Sequence, residues 1–382
     1  MSFPRPVSET PLRLFKAGNV SWCAMSPGCQ ALLRLLPVPP YRFSCLLYVH
    51  ILVPFTHIPL STHRMHSSRS FWGFSALLAC SITGAHAAYT LRDSYDSSNF
   101  FDTFSFFTGT DPTQGFVNYV PQAQAESAGL AAIRGSSVYL GVDYTTLNPP
   151  SPGRKSVRLS SNQAYTHGLF IADIAHMPGS ICGVWPSFWT TGPNWPSNGE
   201  IDILEGVNQE TANSITLHTS PGCNINTAGS QGGTTLASPN CNFENGNSGC
   251  SASTTAPNAY GDSFNANGGG VWAMQWETSG IYVWFFPRGS IPADITAQAP
   301  VTSNWGPPVV AFNGGGGCNI DSFFANQQII FDTTFCGGWA GSVWSSGSCA
   351  AAAPTCSQFV SENPGAFEEA YWLINSVLVY QL

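Results

Sequence analysis

Gly, Pro, Asn and Ser punctuate this chain so often that its apolar stretches stay short, and their length and alternation suit strands rather than helices. VWAMQWE (271–277), IYVWFFP (281–287), QQIIFDTTF (327–335) and AYWLINSVLVYQL (370–382) have strand length and β-branched or aromatic content. No stretch sustains a helical period. Many such strands in one block predict an all-β sandwich whose sheets are large enough to bend. Residues 220–270 are rich in Gly, Asn, Ser and Thr like a linker, yet they hold Cys223, Cys241 and Cys250. A flexible linker has no need of staples, so this segment is expected to be an ordered surface insertion in a single domain.

The chain divides by charge. Residues 1–88 hold seven of the 13 basic residues and one acid, Glu9, leaving 6 basic and 20 acidic residues beyond, net −14. Such a surface repels nucleic acid and anionic polysaccharide, so a neutral ligand is expected and no nucleic-acid partner. From Met65, MHSSRSFWGFSALLACSITGAHA has a positive start, an apolar middle and the small-x-small Ala85-His86-Ala87. That pattern predicts a secretory signal over 65–87, cut after Ala87, with 1–64 an extension outside the mature fold and 88–382 one domain. The other apolar stretch, 43–60, is shorter than the ~20 residues a span needs and is broken by Pro54 and Pro59, so no stable membrane association is expected.

Eight cysteines follow the cut: Cys182, Cys223, Cys241, Cys250, Cys318, Cys336, Cys349 and Cys356. An even set in a secreted chain predicts up to four disulfides of open connectivity. Neither CxxC nor HxxxH spacing occurs among the remaining Cys and His, so no metal site is expected.

The chemistry concentrates in GEIDILEG, residues 199–206. Alternation puts Glu200 and Asp202 on one face with Ile201 and Ile203 in the core. Continued strictly, it turns Glu205 inward, and burying an unpaired carboxylate is costly. A β-bulge near Ile203-Leu204 restores the parity and brings all three acids to one face. Glu200 and Glu205 are then roughly 13 Å apart at Cα by the rise of a strand. Leaning together, their carboxyls approach the ~5–5.5 Å of a retaining glycosidase pair. Three neighbouring carboxylates cannot all ionise cheaply, so at least one pKa should rise, as a general acid requires. A calcium site or a solvated edge is the competing reading, but calcium ligands usually come from loops with carbonyl partners. Upstream, VWPSFWTTGPNWPSNGE places Trp185, Ser187 and Trp189 on one strand face with Phe188 opposite and Trp195 in the following turn. Indoles beside acids are platforms for sugar rings, although any one Trp is as often core. His218 in TLHTS follows at a hairpin-sized interval and is placed to bond an acid of the cluster.

NGEIDILEGVN (198–208), GVWPSFWTTGPNWP (183–196), TLHTS (216–220), GFVNYV (115–120) and QQIIFDTTFCGGWAGSVW (327–344) together resemble glycoside hydrolase family 16, and within it the fungal secreted endo-β-1,3(4)-glucanases of laminarinase type. The resemblance covers 89–382. It implies a bent β-jelly roll, concanavalin A-like, with a substrate cleft on its concave face. By position, Glu200 resembles the nucleophile, Glu205 the acid/base and Asp202 the assisting acid of a retaining mechanism. Trp189, Trp195, Trp339, Arg158 and Asn118 resemble cleft residues, and His218 a partner of the acids. The expected protein is a secreted, extracellular monomer acting on β-glucan, and the resemblance implies that it needs no cofactor. Two other classes fit parts of the pattern. A β-glucan-binding lectin would share the aromatics but has no use for three acids, and a wall-remodelling transglycosylase would share the acids but pass the sugar to another glycan.

Overall fold

All four apolar segments become strands. The computed structural model describes residues 88–225, 234, 236–244, 246–254 and 256–382, which fall within one compact unit, Ser81–Leu382. The expected extension at 1–64 and signal at 65–87 lie outside the described residues, as does part of the 220–270 segment. In chain order the strands are β1 (Thr90–Asp96), β2 (Phe104–Phe106), β3 (Val117–Tyr119), β4 (Ala131–Arg134), β5 (Ser137–Leu140), β6 (Arg154–Ser156), β7 (Arg158–Ser161), β8 (Gly168–His176) and β9 (Val184–Thr191). They continue with β10 (Glu200–Glu205), β11 (Ser214–His218), β12 (Cys250–Ser253), β13 (Gly270–Glu277), β14 (Gly280–Pro287), β15 (Val310–Asn313), β16 (Gln328–Phe335) and β17 (Trp372–Gln381).

Two antiparallel sheets result, the β-sandwich expected from the strand pattern. The first runs β15-β14-β13-β8-β17-β5-β4, with β1 also on β17, and the second runs β12-β11-β10-β9-β16-β7-β2. Between them lies the main core. The first sheet supplies Phe170, Ala172 and Ile174 from β8, Trp272, Met274 and Trp276 from β13, and Trp372, Ile374, Val377 and Val379 from β17. The second supplies Phe188, Ile201, Ile203, Leu204, Ile215, Leu217, Ile329 and Phe331. The first sheet is also covered on its other face, where Leu169, Ile171, Val271 and Ala273 pack under Ile295 and Trp305. The second sheet therefore has one apolar face and one polar face, the arrangement that period-2 alternation encodes.

One expectation is corrected. The 220–270 segment is not a surface insertion alone: β12 extends the second sheet by pairing with β11, and Cys223, Ile225, Cys241, Tyr260 and Phe264 join the main core. Its small polar residues form turns around a few deeply buried anchors, and composition averages over such anchors. The eight cysteines pair as Cys182–Cys349, Cys223–Cys318, Cys241–Cys250 and Cys336–Cys356. The first and last of these sit in a smaller core with Val117, Tyr119, Phe335 and Trp344, and they brace the wide turn Gly337–Gly341 that carries Trp339. Among the described residues no helix is long and apolar enough to cross a membrane.

Candidate active site

The bulge falls where burial demands it. Against β9, Asp202 pairs with Trp189 and Leu204 with Phe188, so Ile203 is the extra residue. Against β11 the ladder resumes only at Glu205 opposite Ser214. Ile201, Ile203 and Leu204 are all buried in the core, and Glu200, Asp202 and Glu205 share the polar face. A side chain mends the ladder at the bulge. Buried Asn213 accepts from the Glu205 backbone N–H at 2.7 Å and donates to the Ile203 carbonyl at 2.8 Å, satisfying two groups that the extra residue unpairs. Before the strand, Gly199 has φ +74° and lies so close to Phe324 and the Phe323 carbonyl that a Cβ would clash with both. Glycine at that position fixes the angle at which Glu200 enters the sheet.

The polar face is organised in cross-strand rows. One row reads His218–Glu200–Thr191–Gln328, the next Thr216–Asp202–Trp189–Ile330–Ser160, and the third Ser214–Glu205–Ser187–Asp332–Arg158. Glu205 accepts hydrogen bonds from Trp185 Nε1 at 2.7 Å and Ser187 Oγ at 3.0 Å. His218 Nε2 lies 3.1 Å from Asp202 Oδ2, outside hydrogen-bonding geometry, and 4.0 Å from Glu200 Oε1. Asp202 is almost fully buried, while Glu200 and His218 keep a sixth or so of their side chains open to solvent.

Burial raises every acid of the cluster. It pushes Glu205 up to about 8, with the Asp202 charge adding and Trp185, His218 and Ser187 opposing. It pushes Asp202 up to about 8, against a hydrogen bond shared with Glu200. Glu200 is driven well above the usual carboxylate range, first by burial and then by Asp202, with His218 and the Trp195 indole holding it down. The cluster therefore keeps shared protons into neutral pH, which is what a donor to a leaving oxygen requires. Glu200, Asp202 and His218 also offer ligand atoms within 4.8 Å of one another. Their carboxylates sit on a core strand and hold protons into neutral pH, which suits acid/base work better than the carbonyl-rich loop of a calcium site.

Raised carboxylates cost stability, and the sign can be worked out. A folded pKa above the unfolded value means that the native state binds more protons. Stability is then highest below the ordinary carboxylate pKa and falls as pH rises towards the folded value. Asp202→Asn removes that cost, so its melting temperature should exceed that of the wild type by little at pH 4 and by several degrees at pH 8, on the order of a few kcal/mol. Thermal melts at the two pH values check this; a gain independent of pH would contradict it.

Of the other residues singled out in the sequence, most converge here. The Trp189 indole donates to Asp332 Oδ1 at 3.2 Å, and the Arg158 guanidinium stacks on its ring with 4.8 Å to the centroid. Trp339 meets Trp185 edge-on at 5.6 Å. Trp195 is 46% exposed and forms an edge-on pair with Phe243 at 4.7 Å, and Phe243 in turn meets His218 at 5.4 Å. Asn118 is half-buried on β3, and among the described residues no hydrogen bond ties its side chain to the acids. Four participants escaped the sequence reading. Asn213 lies outside the quoted motifs, and Asp332 and Tyr119 lie within two of them, on other elements, with nothing local that sets them apart from their neighbours. Phe243 sits in the Gly/Asn-rich segment, where the nearby Cys241–Cys250 bridge was its only signal.

A two-sheet sandwich whose polar face presents E-x-D-x-x-E among indoles is the scaffold of a carbohydrate-active enzyme, and the family follows by comparison. The profile described as "XgeA-like, catalytic GH16 domain" matches residues 104–380, and the chain belongs to glycoside hydrolase family 16. It is 48% identical over 300 residues to the endo-1,3(4)-beta-glucanase of Arthroderma benhamiae, covering 77% of this chain and 65% of that protein. It is 45% identical over 315 residues to the endo-1,3(4)-beta-glucanase xgeA of Emericella nidulans, covering 81% and 50%. The chain thus spans about half to about two thirds of the length of the curated relatives it matches. Two solved structures superpose with a TM-score of 0.72, each covering 77% of this chain and 100% of its own. One is an elongating GH family 16 beta-1,3-glucosyltransferase, 47% identical. The other is Laminarinase 16A from Phanerochaete chrysosporium with β-glucans in both donor and acceptor sites, 42% identical. The sandwich is accordingly a jelly roll of this family.

Proposed function

We propose that this chain is the catalytic domain of a secreted, endo-acting, retaining β-1,3(4)-glucanase. The observation that carries the reading is the bulged strand: it brings Glu200, Asp202 and Glu205 to one face and buries them enough to hold protons at neutral pH. Glu200 attacks the anomeric carbon and forms a glycosyl-enzyme ester while Glu205 protonates the departing glycosidic oxygen. Glu205, now a carboxylate, takes a proton from water. That water attacks the same carbon and frees Glu200, so two inversions give net retention. Asp202, between the two, passes protonation across the cluster, and His218 limits how far its charge is repelled. Trp189, Trp195, Trp339 and Arg158 line the glucan path. The names of the A. benhamiae and E. nidulans relatives support the substrate class, and four disulfides suit an oxidising, extracellular setting.

The product profile on laminarin, mixed-linkage β-glucan and cellulose tests this. Oligosaccharides from the first two are expected, and binding without cleavage would favour a lectin. A second reading has an observation of its own in the 47% identical glucosyltransferase, namely transfer of the glycosyl group to another glucan. Products longer than the starting oligosaccharide would establish transfer.

A further inference from the structure

We propose that Asp332 is a positioning residue of the cleft: it holds the edge of the Trp189 indole, and with it the stacked Arg158 guanidinium, in register for a sugar ring beside the acids. The inference rests on the β-glucan reading and adds a residue that the family motifs quoted above do not single out for a role.

Asp332 is 7% exposed and stands in the same cross-strand row as Glu205, between Ser187 and Arg158. Each of its oxygens takes one donor from a different element. Oδ1 accepts from Trp189 Nε1 at 3.2 Å, and Oδ2 accepts from the Tyr119 hydroxyl at 3.0 Å. Tyr119 is buried and arrives on β3, outside both large sheets, so the carboxylate is fixed from two sides. Trp189 is thereby held at its polar edge while Arg158 covers its ring.

Arg158 faces Asp332 across the ladder, yet among the described residues the two form no ion pair. The guanidinium is gripped by stacking instead, 4.9 Å from the Phe107 centroid and 4.8 Å from that of Trp189, and its Nε is buried without a partner. Stacking, rather than a hydrogen bond to this nitrogen, therefore sets where the guanidinium lies. A neutral acceptor would suffice if Asp332 served packing alone. Its charge reaches further, because Trp189 pairs directly with Asp202 and Asp332 adds to the upward push on that carboxyl.

The charged and titratable groups around Asp332 are Arg158 on β7, Tyr119 on β3, Asp111 before β3 and Asp202 on β10. Burial raises Asp332 itself to about 6, against Arg158, Tyr119 and Trp189, so it is ionised on the alkaline side of the reaction's pH range.

The test compares wild type, Asp332→Asn and Tyr119→Phe on laminarin oligosaccharides across pH. Asp332→Asn should raise KM about tenfold, as for loss of a bond to a charged group, while kcat stays within about threefold. Its alkaline limb should move to lower pH, because one negative charge fewer acts on the cluster. Tyr119→Phe, which removes one hydroxyl and keeps the ring, should raise KM in the same direction by less, and it decides the matter if Asp332→Asn does not fold. Wild-type KM and an unmoved alkaline limb in the folded variants would overturn the proposal alone, as would a fall in kcat at constant KM. A wild type that cleaves no β-glucan would remove the underlying reading and the proposal with it.

Discussion

Glu200→Gly loses hydrolysis by at least the ~10²–10⁴ that one positioned acid or base contributes, and azide then restores turnover of an activated glycoside. The small anion enters the space left by the side chain and attacks the anomeric carbon from the face that Glu200 occupied. With no ester formed there is a single inversion, so the glycosyl azide has the configuration opposite to the substrate. Product configuration by NMR is the measurement. Rescue with retained configuration would transfer the nucleophile's role away from Glu200. The variant should remain folded, because burial and the Asp202 charge weigh against an ionised Glu200 more than His218 and the Trp195 indole favour it.

Glu205→Ala should lower kcat on laminarin by a similar ~10²–10⁴. The loss should shrink for glycosides whose leaving group departs without a proton, because the missing group acts on the leaving oxygen. The pH profile carries a second signature. The wild type should follow a bell whose alkaline limb reports loss of the donated proton near the raised carboxyls, at about 8 for Glu205. Its acidic limb reports protonation of the attacking carboxylate, and both limbs belong to the coupled cluster. In Glu205→Ala the alkaline limb should disappear for activated substrates. An unchanged bell would place the acid elsewhere.

The face that carries the three acids was legible because two local rules conflict within six residues. Alternation sends Glu205 into the core and the cost of burying a charge forbids it, so only a bulge at Ile203-Leu204 satisfies both, and the ladder shifts there. The Trp185, Ser187, Trp189 face was legible by alternation alone, with Phe188 in the core. Less was legible between 220 and 270. There a strand and several core side chains lie within a composition typical of loops, and burial of a single Tyr260 or Phe264 leaves no period to read.

The sequence alone settled the longer apolar strands, the placement of the acids and the even set of eight cysteines, since each depends on neighbours along the chain or on simple parity. Tertiary structure decided which groups meet the acids. Trp185 reaches Glu205 because β9 lies beside β10, and Asp332 reaches Trp189 across 143 residues because β16 lies on the other side of β9. The Cys182–Cys349 pairing and the approach of Phe243 to Trp195 have the same origin. Strand order across a sheet is fixed by how the two apolar faces close over one core, a sum over the whole chain that no local pattern contains.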